Sequence, residues 1–190
     1  MLRLDYAGCG QSEGAFEDQT LGRWRDDVLA LIDAVTTGPL LLVGSSMGGW
    51  LMLLVALARP ERVMALIGIA AAPDFTDWGF TADERATIAR DGRREEPSPY
   101  GGTIVTTDAF LRSGQAALLL GGEIAIDCPV RLLHGQADGD VPWGTALRLA
   151  EALRSDDVQT LLIKDGDHPL SRPQDIALLV ATLSRLLDPS

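Results

Sequence analysis

Residues 40–60 read LLLVGSSMGGWLMLLVALARP. Leu40 to Val43 is a short apolar run suited to a strand covered on both faces. Gly44-Ser45-Ser46-Met47-Gly48 fits G-x-S-x-G, the turn that presents a nucleophilic serine between strand and helix. Gly49 to Arg59 favours a helix, and Pro60 stops it. The glycines have a steric reason: the serine at such a corner sits in a strained conformation, and side chains at Gly44 or Gly48 would collide as the strand folds back into the helix. A plain glycine-rich turn would show the same letters, but strand before and helix after is the context the serine turn demands. A phosphate-binding loop is excluded, because no Gly-Lys-Ser/Thr ending follows.

Outward from this corner the chain alternates. MLRLDY (1–6) reads as a strand and AGCGQSEG as a loop. Thr20 or Gly22 to Val35 reads as an amphipathic helix with Trp24, Val28, Leu31, Ile32 and Val35 at helical spacing. Val63 to Ala71 is an apolar strand. From Phe75 to Glu123 the pattern loosens, with Thr81 to Arg90 as a helix opened by a Thr81/Glu84 capping box. Arg93 to Gly102 reads as loop and Thr107 to Leu120 as a second helix. This 75–123 insertion between core strands is the candidate lid or substrate-pocket wall. Pro129 to His134 is a strand, Gly144 to Leu153 a helix, and Val158 to Lys164 a strand. Arg172 to Leu187 closes the series as a helix with Ile176, Leu179, Val180 and Leu183 on one face. Strands alternating with helices give an α/β fold, a mostly parallel sheet with helices on both faces. The expectation is one domain over residues 1–190.

The net charge of −11, from 16 basic and 27 acidic residues, argues against nucleic-acid and anionic-membrane surfaces. Cys9 and Cys128 have no metal-ligand spacing and suit a reducing compartment. Without a signal segment or a bilayer-length apolar run, the expected location is cytoplasmic.

Three loops at strand ends hold the chemistry. The first carries Ser46, the second Asp138 and Asp140, the third His168. A serine hydroxyl needs a base to become a nucleophile. A histidine near its usual pKa supplies one, and a carboxylate fixes that histidine's tautomer. The order Ser, acid, His is one of three known for such triads. His168 lies where the order requires the base, and His134, ending a strand before both acids, reads as structural. Asp138 is preferred to Asp140 because it lies nearer the strand end. Asp165 and Asp167 read as turn residues.

The pieces DYAGCGQSEG, GSSMGGWLMLLVALARPERVMALIGIAAAPDF, CPVRLLHGQADGDVPW and DGDHPLSRPQDI resemble the α/β-hydrolase fold serine hydrolases. Within them they are most similar to the abhydrolase-domain palmitoyl-protein thioesterases that also cleave mycophenolic acid acyl-glucuronide, and to bacterial relatives. The resemblance implies Ser46 as nucleophile, Asp138 as acid, His168 as base and the Met47 N–H as one oxyanion donor. It implies ester or acyl-thioester substrates, S-acylated proteins among them, and neither cofactor nor metal. The pocket is expected to be apolar, lined by Trp50 or the insertion. Compared with that fold the chain starts at the fourth strand, lacking the first three, and no Gly-rich oxyanion loop precedes it. Three functions follow: a serine esterase or thioesterase working through an acyl-enzyme; an impaired or inactive fragment acting as a binding module; and, least supported, a peptidase.

Overall fold

The computed structural model describes residues 1–97 and 102–188. They group into two compact units, Met1–Thr36 with Asp74–Leu118, and Thr37–Pro73 with the chain from Leu119 onward.

The second unit is built on four parallel strands, β1 (Leu40–Ser45), β2 (Val63–Ile69), β5 (Val130–Gly135) and β6 (Val158–Ile163), in the order β1-β2-β5-β6. The apolar runs are long because both faces are covered. On one face Leu66, Val130 and Leu132 pack with Met52, Leu53 and Ala56 of α2 (Met47–Ala58) and with Ala146 and Leu149 of α6 (Gly144–Ala152). On the other, Ala65, Ile67 and Leu133 pack with Leu170 and with Leu179, Leu183 and Leu186 of α7 (Pro173–Leu187). Neighbours in sequence thus fall to opposite cores, as a period of two requires. Helices on both faces of a mostly parallel sheet are the α/β fold read from the sequence.

The first unit holds α1 (Leu21–Val35), α3 (Phe75–Trp78), α4 (Ala82–Asp91), β3 (Arg93–Pro97), β4 (Thr103–Thr107) and α5 (Asp108–Gln115). Its centre is Trp24, fully buried, with its indole N–H donated to the Ala7 carbonyl and its ring against Tyr6, Phe16 and Phe110. The Thr81/Glu84 capping box forms at the start of α4.

Four expectations need correction. MLRLDY is not a strand: residues 1–6 have no regular structure, and Leu2 and Leu4 are exposed. Alternation alone does not make a strand without a partner ladder, and among the described residues β1 pairs only with β2. Arg93–Pro97 is not loop but pairs antiparallel with β4, Arg93 opposite Thr107 and Pro97 opposite Thr103. Its charged residues hid it, because it buries little; Arg94 instead bridges Glu84 and Glu96 at 2.9 and 2.8 Å. The rest of the expected loop, at 98–101, lies outside the described residues. The helix expected to reach Leu120 ends at Gln115. On α7, Ile176 and Val180 are half exposed, and the packed face runs through Asp175, Leu179, Thr182 and Leu186.

Candidate active site

Ser46 sits between β1 and α2 at φ 52°, ψ −123°. This left-handed φ is unfavourable for a residue with a side chain and persists only where surroundings impose it. Here they do. The Ser46 N–H donates to the Ile69 carbonyl at 2.9 Å, and the Ser46 carbonyl accepts from Gly49 at 2.9 Å and Ala72 at 3.1 Å. The corner leaves no room for side chains. A Cβ on Gly44 would strike the Gly48 carbonyl and lie 2.8 Å from the Gly49 Cα. A Cβ on Gly49 would lie 2.9 Å from the Ala71 Cα and closer still to its Cβ. Met47 is the first residue of α2, so its N–H has no carbonyl of its own helix to bond. Trp50, expected to line the pocket, is fully buried. With no surface left for a substrate to touch, it serves as core packing.

The loops after β5 and β6 are tied together before they deliver their side chains. Gln136 donates to the Ile163 carbonyl at 2.8 Å and Ala137 to the Gly166 carbonyl at 2.9 Å. Gly135 and Gly166 pack backbone to backbone, since a Cβ on Gly166 would lie 2.9 Å from the Gly135 Cα. Beyond this seam the His168 Nδ1 lies 2.8 Å from Asp138 Oδ2. Asp138 Oδ1 accepts from the Asp140 N–H at 2.8 Å and the Val141 N–H at 2.9 Å. His134 Nε2 also reaches Oδ2, at 3.2 Å. The side chain of Asp138 has no exposed surface, whereas Asp140 is exposed. The His168 loop is anchored from behind. Arg172 grips Asp175 at 2.7 and 2.9 Å and the Asp165 carbonyl at 2.7 Å. Asp167 Oδ1 closes the turn on the Leu170 N–H at 3.1 Å.

Ser46, Asp138 and His168 all follow the carboxyl ends of parallel strands, the edge where such sheets gather reacting groups. Asp138 and His168 are in direct contact; the strand that leads to Ser46 lies two places from that of Asp138 and three from that of His168, about 10 and 14 Å across the sheet. The ligand atoms of Asp138, Asp140 and His168 lie within 4.8 Å of one another. Asp138 spends both oxygens on three hydrogen bonds, from Asp140, Val141 and His168. Four contacts were missed in the sequence reading: the Gly135–Gly166 seam, the Arg172 anchor, the His134–Asp138 approach and the Gly49–Ala71 contact. The glycine of HGQAD was the one available signal for the seam.

Burial pushes the Asp138 carboxyl up, but hydrogen bonds from Val141, His168 and Asp140 outweigh it and hold the carboxyl below its ordinary value. The unfolded carboxyl titrates near pH ~3.9. Because the folded value is lower, Asp138 contributes stability above that pH and loses it as pH falls through the folded value. The urea midpoint is therefore expected to drop between about pH 5 and pH 2. It should drop less steeply in Asp138→Ala; parallel curves for the two proteins would contradict this account.

Comparison with known proteins fits this arrangement. Residues 1–188 match the model of the alpha/beta hydrolase family. The chain is 43% identical to human palmitoyl-protein thioesterase ABHD10, mitochondrial, over 98% of its own length and 63% of the relative's. It thus spans under two-thirds of the length of this and similar curated relatives. Among solved structures, a putative hydrolase from Agrobacterium vitis S4 superposes with a TM-score of 0.91 at 40% identity, covering 97% of this chain and 75% of the other. Mouse alpha/beta hydrolase domain-containing protein 10 superposes with a TM-score of 0.89 at 43% identity, covering 97% and 76%. The compartment in the curated relatives' name lends no support to the cytoplasmic expectation; no described helix is long and apolar enough to cross a membrane. By the match along its length and by these relatives, the chain belongs to the alpha/beta hydrolase family.

Proposed function

We propose that this chain is a serine hydrolase cleaving carboxylic esters or acyl thioesters through Ser46, His168 and Asp138. The observation that carries the reading is the Asp138–His168 bond of 2.8 Å at the same sheet edge as a serine held at positive φ. Asp138 keeps the hydrogen on His168 Nδ1, which leaves Nε2 bare to accept the Ser46 proton. The Ser46 oxygen attacks the acyl carbonyl, and the Met47 N–H supports the developing oxyanion. The imidazolium returns its proton to the leaving alcohol or thiol, giving an acyl-serine. Water, deprotonated by His168, repeats the sequence and releases the carboxylic acid. The name of the relatives at 43% identity supports thioesters, with S-acylated proteins as a substrate class. The 75–123 insertion, leaving and rejoining the chain between β2 and β5, is the segment proposed to set acyl preference.

A fluorophosphonate probe is expected to label Ser46 in wild type and nothing in Ser46→Ala. A series of p-nitrophenyl and thioester substrates of rising chain length, run on wild type and on a Phe110→Ala variant, reads acyl preference and the part the insertion plays in it. Absence of label on folded protein would overturn the reading. Label without turnover favours the impaired hydrolase over the working one.

A further inference from the structure

His134 is the last side chain before the glycine that ends β5, in a strand whose other buried side chains are Val130, Leu132 and Leu133. It is fully buried. Its Nε2 lies 3.1 Å from the Val141 carbonyl and 3.2 Å from Asp138 Oδ2. Both are acceptors, so Nε2 carries the hydrogen. That leaves Nδ1 as a bare acceptor, and among the described residues it is a buried polar side-chain atom with no hydrogen-bond partner. Burying such an atom unsatisfied costs roughly 1–3 kcal/mol. A leucine would fill the site without that cost. The imidazole is explained by what its other nitrogen does.

Asp138 receives donors at every side. The Asp140 and Val141 N–H groups hold Oδ1 and His168 holds Oδ2 at 2.8 Å; the His134 Nε2–H is donated to the Val141 carbonyl at 3.1 Å, with Oδ2 3.2 Å from the same nitrogen. We infer that His134 is a positioning residue for the hydrolytic reaction: its Nε2–H holds the Val141 carbonyl, the Val141 N–H holds Asp138 Oδ1, and Asp138 in turn orients the His168 ring. The inference rests on the proposed function and adds a member to its machinery. Without this donor the Val141 backbone loses its anchor, and the carboxylate that its N–H holds is free to turn away from the axis of the His168 bond. His134 reaches neither Ser46 nor substrate in this role, so its loss acts on turnover and not on substrate affinity.

The test compares His134→Leu with His134→Gln, whose amide nitrogen reaches the Nε2 position. With a p-nitrophenyl ester, His134→Leu is expected to lose about tenfold or more in kcat, the scale of a lost orienting partner, with KM within about twofold. His134→Gln is expected to stay within about threefold of wild type. A folded His134→Leu with wild-type kcat overturns the inference, and so does a His134→Gln as impaired as the leucine variant. If the leucine variant does not fold, His134→Asn replaces it, since its amide reaches only the Nδ1 position; equal activity in Asn and Gln variants is again contrary. The chain has only two histidines, so long-range proton–nitrogen spectra of wild type resolve both rings. They should show His134 protonated on Nε2, and an Nδ1–H form there overturns the hydrogen bond itself. A wild type that neither labels nor turns over removes the hydrolase reading, while the spectra still decide the His134–Val141 bond.

Discussion

Asp138→Asn is expected to lower kcat by about four orders of magnitude, with KM nearly unchanged, a loss near the size found when a triad carboxylate becomes an amide. The reason is in the hydrogen bonds. All of the hydrogen bonds to Asp138 described here are donated to it: Asp140 and Val141 N–H to Oδ1, His168 to Oδ2. An asparagine has one acceptor and one donor at these positions. Turned one way, its NH2 faces the two backbone N–H groups. Turned the other, it faces the imidazoles and forces His168 to accept at Nδ1, which moves the ring hydrogen to Nε2, where a bare nitrogen must meet the serine. One orientation sets donors against donors; the other leaves the ring hydrogen on the nitrogen that should take the serine proton. Four orders of magnitude correspond to about 5.4 kcal/mol of transition-state stabilisation. The check is kcat on a p-nitrophenyl ester, alongside the rate of fluorophosphonate labelling. Asp140→Asn, exposed and bonded to Asp138 only through its backbone, is the control expected near wild type. A folded Asp138→Asn within tenfold of wild type would remove Asp138 from the triad.

The difference between these two aspartates shows how far the sequence can be read. Distance from a strand end ranks Asp138 above Asp140, because backbone geometry at a strand terminus is nearly fixed by the strand itself. The corner at Ser46 is legible for the same reason: its glycines are required by local sterics. The central strands and their helices follow from long apolar runs and their punctuation. What resists reading depends on partners distant in sequence. MLRLDY has the alternation of a strand and no ladder to join, whereas Arg93–Pro97 lacks the alternation and gains a ladder from β4. The buried stripe of α7 runs through Asp175, whose buried carboxylate pairs with the partly exposed Arg172, a term that hydrophobic periodicity does not contain. His134 belongs with these. Its neighbours in the strand mark it as core, and only the fold of the next loop brings Asp138 back against it.

The same dependence on distant partners makes Gly135 the most sensitive backbone position near the site. Its φ does not demand glycine; its neighbours do. A Cβ there would lie 2.7 Å from the Asp167 carbonyl oxygen and closer still to the carbonyl of Gly166. Both are main-chain atoms, so no side chain can swing aside to make room. They belong to the turn that carries His168, and the Gly166 carbonyl also accepts the Ala137 N–H at 2.9 Å. Gly135→Ala must push the two loops apart and break the seam that aligns Asp138 with His168. Overpacking of this kind costs about 1–3 kcal/mol. For a chain of this size that lowers Tm by roughly 2–12 °C. A displacement of about 1 Å at His168 costs on the order of a hundredfold in turnover, so activity should fall further than stability suggests. Gly139 lies in the same loop with open space where its Cβ would be, and Gly139→Ala is expected to leave both quantities unchanged. Thermal unfolding and ester hydrolysis of the two variants together decide the point. If Gly135→Ala matches Gly139→Ala in both, the seam does not position His168, and the loops must be held by Arg172 and the Asp138 hydrogen bonds alone.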